Sequence, residues 1–249
     1  MIRVIFILFL LLNFLFANDL EIERIFKKYD IEGTFVLSSL KNLNFIYNEK
    51  RVKQRFIPAS TFKIPHTLVA LEEKVVDTNT IIKWDGKKRF YEPWNKNQTL
   101  QSAIKYSCVW CFQTFAQKID NNTYLKYLEK IDYGNKKTGK DKTTFWLDGD
   151  LKISAFEQIN FLKKLYRDNL PFKKKNLEIA KTLIINEQTQ NYTIRGKTGW
   201  AQDIAWYIGY IETNSNIWFF ALNANIKEMK NLKLREKIVK EILESKKII

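Results

Sequence analysis

The chain has 249 residues, 45% of them hydrophobic and 14% aromatic, with 42 basic against 27 acidic residues and a formal net charge of +15. That length suits one large domain or two interleaved lobes around an ample core, and the apolar share excludes a disordered chain. The charge invites nucleic acid as a partner, but the lysines are spread along the chain and no nucleic-acid motif accompanies them. No nucleic-acid partner is therefore expected.

In chain order, Arg3 precedes an apolar run over residues 4–12, and Ala17 offers a small residue for cleavage. A basic start and a short greasy centre read as a signal peptide over 1–17. The run falls short of the roughly 20 apolar residues a membrane span needs. Residues 18–249 are then a single exported domain, periplasmic or secreted, with no stable membrane anchor. Residues 19–28 have the pattern of a short amphipathic helix. Residues 33–39 and 43–47 alternate like paired strands around a polar turn. A helix begins near Thr61, and its body is the apolar run 64–71. The polar stretch 77–97 reads as an irregular connection. Thr99 caps a helix carrying Leu100, Ala103 and Ile104. A second helix follows Ser107 through Phe115, and a third spans 123–131.

Tyr133-Gly134-Asn135 breaks the pattern, residues 136–142 form a surface loop, and Phe145-Trp146-Leu147 turns inward. Ser154 and Glu157 fit a capping box ahead of a helix to Tyr166, which Pro171 stops. Another helix is expected over 177–185. Three antiparallel strands follow at 192–197, 204–212 and 217–223, with turns at Gly199 and at 213–215. A last helix runs over about 232–244. Strands at both ends thus enclose a helical middle.

The chemistry collects around Pro58-Ala59-Ser60-Thr61-Phe62-Lys63. One helical turn separates Ser60 from Lys63, so hydroxyl and amine share a face. A serine at a helix start also lies among free backbone N–H groups that can stabilise an oxyanion. A buried lysine loses its proton because desolvation disfavours the charged amine, and it can then act as a base. The same spacing occurs at Ser38–Lys41 and Ser102–Lys105. The first ends a strand-like stretch, and the second lies in a helix whose lysine has no apolar wall. Only Ser60–Lys63 stands at the mouth of a long apolar segment. Ser107-Cys108-Val109 places a hydroxyl between two helices, where it can relay a proton or simply cap a helix. Lys197-Thr198-Gly199 closes a strand with a cation and a hydroxyl, and the Trp200 N–H can pair with that of Ser60 as an oxyanion hole. A second Lys-Thr-Gly, at 137–139, follows no strand and is set aside. Cys108 and Cys111 lie in an apolar helix, which favours buried thiols over a disulfide. The lone histidine, His66, reads as packing or a local hydrogen bond. No Cys/His cluster suggests a metal.

Ser-x-x-Lys at 60–63, Ser-x-Val at 107–109, Tyr-Gly-Asn at 133–135 and Lys-Thr-Gly at 197–199 occur in that order. The set resembles the class D, or oxacillinase-type, serine β-lactamases, and is related to the Ser-x-x-Lys, Ser-Asp-Asn and Lys-Thr-Gly set of class A. Valine where class A has asparagine favours class D. Phe145-Trp146-Leu147, Trp206-Tyr207-Ile208-Gly209 and Leu234-Arg235 extend the resemblance over essentially all of 18–249. It implies an α+β, transpeptidase-like fold, with an antiparallel sheet flanked by helices and a mostly helical lobe. It also implies a β-lactam substrate, with Ser60 as the acylated nucleophile and Lys63 as general base. Lys63 would carry a carbamate made from carbon dioxide or bicarbonate, and no other cofactor is expected. Phe62, Val109, Trp146 and Leu147 would wall that carbamate, with the Trp146 indole as its donor. Ser107 would relay protons. Lys197, Thr198, Gly199 and Val109 would line the substrate, and Arg235 would bind its carboxylate. Tyr133 would shape the site. A sensing domain, acylated but not turned over, is the alternative.

Overall fold

The computed structural model describes residues 19–41 and 43–249, so the expected signal peptide lies outside the described residues. No helix among the described residues is long and apolar enough to cross a membrane. Helix α1 (Leu20–Lys28) is capped by Asp19, whose carboxylate accepts from the Glu21 and Ile22 N–H groups. Glutamates in its first turn and lysines in its last complement the helix dipole. A hairpin of β1 (Gly33–Ser39) and β2 (Asn44–Tyr47) follows, then the single turn α2 (Glu49–Val52). The C-terminal strands are β3 (Ile185–Gln188), β4 (Tyr192–Ala201), β5 (Ile204–Thr213) and β6 (Ile217–Asn225). All described strands join one antiparallel sheet in the order β2-β1-β6-β5-β4-β3. The N-terminal hairpin docks on the C-terminal meander through β1 and β6, with Phe35 opposite Leu222.

Successive strand residues point to opposite faces, so each face of this sheet builds its own core. On one face Phe35, Leu37, Ile211, Phe220 and Leu222 pack with α1 and with α9 (Leu234–Ser245). On the other, Val36, Trp206, Ile208, Tyr210 and Phe219 join the larger core of the helical lobe. That lobe comprises α3 (Lys63–Glu72), α4 (Leu100–Lys105), α5 (Val109–Gln117), α6 (Asn121–Ile131), α7 (Ala155–Tyr166) and α8 (Lys174–Leu183). Helix α3 is its axle, buried at every residue from Lys63 to Leu71. Pro65 is tolerated because it falls in the first turn, where N–H groups lack intrahelical partners. The expected capping box at Ser154 and Glu157 is present, each side chain bonding the other residue's backbone.

Three expectations need correction. The helix expected to reach residue 185 ends at Leu183, and Ile185–Gln188 is instead the edge strand β3. Its side chains are mostly exposed, so it carries no apolar alternation by which to read it. The turn expected at Gly199 is absent, since β4 continues to Ala201 and reverses at Gln202–Asp203. Both reversal residues are left-handed, at φ 50° and 61°, as a two-residue hairpin with the sheet's twist demands. Finally, Cys108 and Cys111 are not thiols but a disulfide. Cys108 is the N-cap of α5, and one helical turn brings the two Cα atoms to 5.5 Å, within bonding reach.

Candidate active site

The site begins where an irregular segment becomes α3. Ala59–Phe62 forms a tight 3-10 turn that runs straight into the helix. Ala59 takes φ +49°, a conformation that costs an L-residue about 1–2 kcal/mol. Several neighbours hold the turn in place. Thr61 Oγ1 donates to the Pro58 carbonyl at 2.6 Å, and Gln158 Nε2 of α7 donates to Thr61 Oγ1 at 3.0 Å. The Trp206 indole of β5 donates to the Ile57 carbonyl at 2.8 Å. Strand β4 presses against the same turn at Gly199. A Cβ there would stand 3.0 Å from the Pro58 oxygen and 3.1 Å from the Thr61 nitrogen. The glycine is thus required by close approach rather than by a turn. The next residue, Trp200, turns its indole away to donate to the Ile226 carbonyl at 2.8 Å.

Ser60 is 8% exposed and Lys63 not at all, and Lys63 Nζ lies 2.9 Å from Ser60 Oγ. Burial pushes the Lys63 amine well below the usual lysine range, and the charge of Lys197 pushes it further. Both causes favour the uncharged amine. Aromatic rings enclose it. Trp146 stacks on Phe62 at 5.9 Å and meets His66 at 5.0 Å, and Lys63 Nζ sits 5.1 Å from the centre of Phe112. Val109 and Leu147 are half-buried. The buried Trp146 Nε1 has no hydrogen-bond partner among the described residues. Such an orphan donor is costly unless a ligand or modification meets it. His66 plays the expected local part, its Nε2 bonded to the Tyr124 hydroxyl at 2.6 Å.

The opposite wall comes from α5, β4 and α9. Ser107 sits between α4 and α5 at φ +51°, and its hydroxyl accepts from Lys197 Nζ. Lys197 also donates to the Thr198 carbonyl at 3.1 Å. Burial, with Arg235 close by, lowers the Lys197 pKa to about 7. Arg235 is itself buried, which brings its pKa down to about 10. Its Nη1 donates to the Gly199 carbonyl at 2.8 Å and its Nε to that of Leu232 at 2.7 Å. Those bonds fix the guanidinium beside the strand that bears Lys197 and Thr198. A cleft of about 530 Å³, lined by Ile104, Lys105, Asn186, Thr198 and Glu236, meets the site on this side.

The structure therefore gathers Ser60, Lys63, Ser107, Lys197, Gly199 and Arg235 from distant parts of the chain. Tyr133 is buried behind them, edge-on to Phe62 at 5.7 Å, and its hydroxyl reaches Gln158 at 3.4 Å. Burial pushes its phenol pKa up, which suits a wall rather than a reacting group. Thr61, Phe112 and Gln158 are the participants that sequence reasoning missed. The one available signal was a glutamine among the core positions Ala155, Ile159 and Leu162 of α7.

Residues 27–244 match the penicillin binding protein transpeptidase domain family. The chain is 42% identical over 227 residues to β-lactamase OXA-20 of Pseudomonas aeruginosa, covering 89% of this chain and 85% of that one. It is 41% identical over 230 residues to β-lactamase OXA-48 of Klebsiella pneumoniae, covering 90% and 87%. The crystal structure of FUS-1 (OXA-85), a class D β-lactamase from Fusobacterium nucleatum subsp. polymorphum, matches with a TM-score of 0.91. It shares 38% identity and covers 94% of this chain and all of that one. The chain belongs to the class D β-lactamases. In this class D β-lactamase the expected architecture is borne out, with the antiparallel sheet flanked by helices and a mostly helical lobe. The aromatic pocket around Lys63 and the Lys197–Arg235 wall are thus features of a β-lactamase chain, and the reaction has to be read from them.

Proposed function

We propose that this class D β-lactamase hydrolyses penicillin-type β-lactams through an acyl-enzyme on Ser60, with a carbamate on Lys63 as general base. The observation that carries this reading is the fully buried Lys63 amine, 2.9 Å from Ser60 Oγ. Ser60 Oγ attacks the lactam carbonyl, and the Ser60 and Trp200 N–H groups receive the developing oxyanion. The Ser107 hydroxyl, linked to Lys197, delivers a proton to the leaving ring nitrogen. Lys197, Thr198 and Arg235 hold the substrate carboxylate, with charge-assisted bonds the strongest available. A carbamate on Lys63 would supply the base that activates serine in acylation and water in deacylation. The depressed pKa of the amine suits its formation, and the orphaned Trp146 Nε1 fits it as a donor. The basic start and apolar run of residues 3–17 support export to the periplasm or medium. Relatives named as β-lactamases favour turnover over mere sensing.

The carbamate is tested directly with carbon-13 bicarbonate, which should give a carbamate signal that disappears in Lys63→Ala. Mild acid and degassing should lower turnover, and bicarbonate should restore it. Lys63→Ala should lose about 10²–10⁴-fold in deacylation and accumulate acyl-enzyme by intact mass. Trp146→Phe should shift the bicarbonate requirement upward without abolishing turnover. Full activity in bicarbonate-free buffer, with no carbon-13 signal, would make Lys63 an ordinary amine base.

A further inference from the structure

The mechanism above uses neither of two buried sulfurs that stand inside the relay motif. Cys108 and Cys111 are bonded to one another, and both are fully buried. Cys108 lies directly between Ser107, whose hydroxyl meets Lys197, and Val109. The chain here reverses between α4, ending at Lys105, and α5, beginning at Val109. That reversal requires the left-handed Ser107, at φ +51° and without the freedom of a glycine. Two backbone bonds support it, Ser107 N–H to Ile104 at 3.1 Å and Cys108 N–H to Ala103 at 2.8 Å.

The remaining support is the cap of α5. Helices α4 and α7 begin with capping boxes in which hydroxyls accept the N3 N–H group. At α5 the N-cap is Cys108, whose sulfur faces the Cys111 N–H at 3.3 Å. Sulfur is a weak acceptor, so the polar cap is poor. The covalent bond from N-cap to N3 takes its place. It fixes the first turn of α5 and, through it, the backbone on which Ser107 and Val109 are carried.

We propose that the Cys108–Cys111 disulfide is a positioning device for Ser107, and that opening it slows turnover. The proposal rests on the part assigned to Ser107 under the proposed function. Opening is a two-electron reduction. A dithiol such as dithiothreitol gives up two electrons and two protons and closes to its own cyclic disulfide. The Cys108–Cys111 bond becomes two thiols. Both sulfurs are buried, so exchange waits on opening of the first turn of α5, and activity should follow bond opening in time. Released from the link, Ser107 can leave the left-handed region and its Oγ drifts from Lys197.

The experiment compares the oxidised chain, the chain reduced by dithiothreitol, and the Cys108→Ala/Cys111→Ala variant. Thiols are counted after denaturation, folding is followed by thermal unfolding, and Ser60 acylation by intact mass with a penicillin. Opening the bond should lower kcat by about ten- to a hundredfold, the loss that a misplacement near 1 Å brings, with KM changed by less than about twofold. The pH profile of kcat should change shape, because the Ser107–Lys197 contact is disturbed. Reoxidation should restore the reduced wild type and leave the alanine variant unchanged. Cys108→Ser/Cys111→Ala supplies a hydroxyl cap without a covalent link, and it should recover most of the lost kcat. An unchanged kcat and pH profile in folded protein with two free thiols would overturn the proposal. So would a serine-capped variant no better than the alanine one. Absence of any penicillin adduct in Lys63→Ala, where acyl-enzyme should accumulate, would instead overturn the Ser60 reading.

Discussion

Ser60–Lys63 and Ser102–Lys105 share a spacing and a place near a helix start, yet they have become different things. At 60–63 the serine hydroxyl faces the lysine amine at 2.9 Å, and the lysine is fully buried among aromatic rings. At 102–105 the serine hydroxyl is spent on the helix cap, bonded to the Thr99 N–H at 2.9 Å and to Gln98 Oε1 at 2.7 Å. Its lysine is exposed to solvent. Ser38–Lys41 fails in a third way, because the Ser38 hydroxyl faces Lys163 at 2.8 Å and Asn44 across the hairpin, while Lys41 is exposed. Spacing sets only which side chains can meet. Burial decides whether the amine keeps its proton, and competing partners decide whether the hydroxyl is free to react.

The largest effect should come from breaking that contrast at the serine. Ser60→Ala should lose about 10⁴-fold or more in kcat/KM, as removal of an activated serine does elsewhere, and should take up no penicillin by mass. Ser102→Ala should retain activity within about twofold and instead lose about 1 kcal/mol of stability, the usual worth of a cap. Lys105→Ala should be equally silent in acylation at Ser60. An adduct on Ser102 or Ser38 in the Ser60→Ala protein would reverse the assignment.

Much of this contrast was legible before any coordinates. The apolar run 64–71 marked α3 as buried, and a lysine at its mouth had to be desolvated. The capping residues Thr99 and Ser154 were equally readable, because caps are local chemistry. What escaped was non-local. Gly199 was read as a turn, but its reason is the Pro58 oxygen 3.0 Å from where a Cβ would be, a contact across 141 residues of chain. The strand β3 hides because its exposed residues carry no alternation, and its place is set by pairing with β4. The disulfide was discounted from its apolar surroundings, although the spacing of a helix N-cap and N3 already puts two cysteines within reach. Gln158 and Phe112 reach the site only through tertiary packing.

A second test moves from the desolvated lysine to the buried cations opposite it. Arg235 is 8% exposed and held by the Gly199 and Leu232 carbonyls, so it is a fixed charge rather than one more surface cation. Arg235→Ala should lower kcat/KM for carboxylate-bearing substrates by about 1.5–3 kcal/mol, the worth of a hydrogen bond to a charged group. Esters of the same substrates should be affected much less. Arg235→Lys should recover part of the loss, since a point charge replaces the fork. An equal loss for acid and ester would place the role of Arg235 in folding rather than in recognition.

The smallest effect expected is also the one that separates the two buried lysines. Burial drives the Lys63 amine well below the usual lysine range, whereas Lys197 has its pKa lowered to about 7 by burial and by Arg235. Below that value the free enzyme presents a cation to the substrate carboxylate, and above it a neutral amine. A bound carboxylate favours the charged form and pulls the pKa back up, so binding and protonation are linked. KM for an anionic penicillin should therefore rise as pH increases from 6 to 8, and no further once the bound lysine also titrates. Arg235, whose pKa is about 10, stays charged throughout this window and limits the rise to a few-fold. The sign for folding is opposite. Between pH 7 and the ordinary lysine value of 10.5 the unfolded chain holds a proton that folded Lys197 has lost, so this group makes stability climb with pH. Lys197→Met should flatten both slopes, KM against pH and stability against pH, because it removes the titrating group. A KM that is level from pH 6 to 8 for the acid, or that rises equally for its ester, would mean that Lys197 keeps its proton despite burial. Charge loss on desolvation would then single out Lys63 alone among the buried lysines of the site.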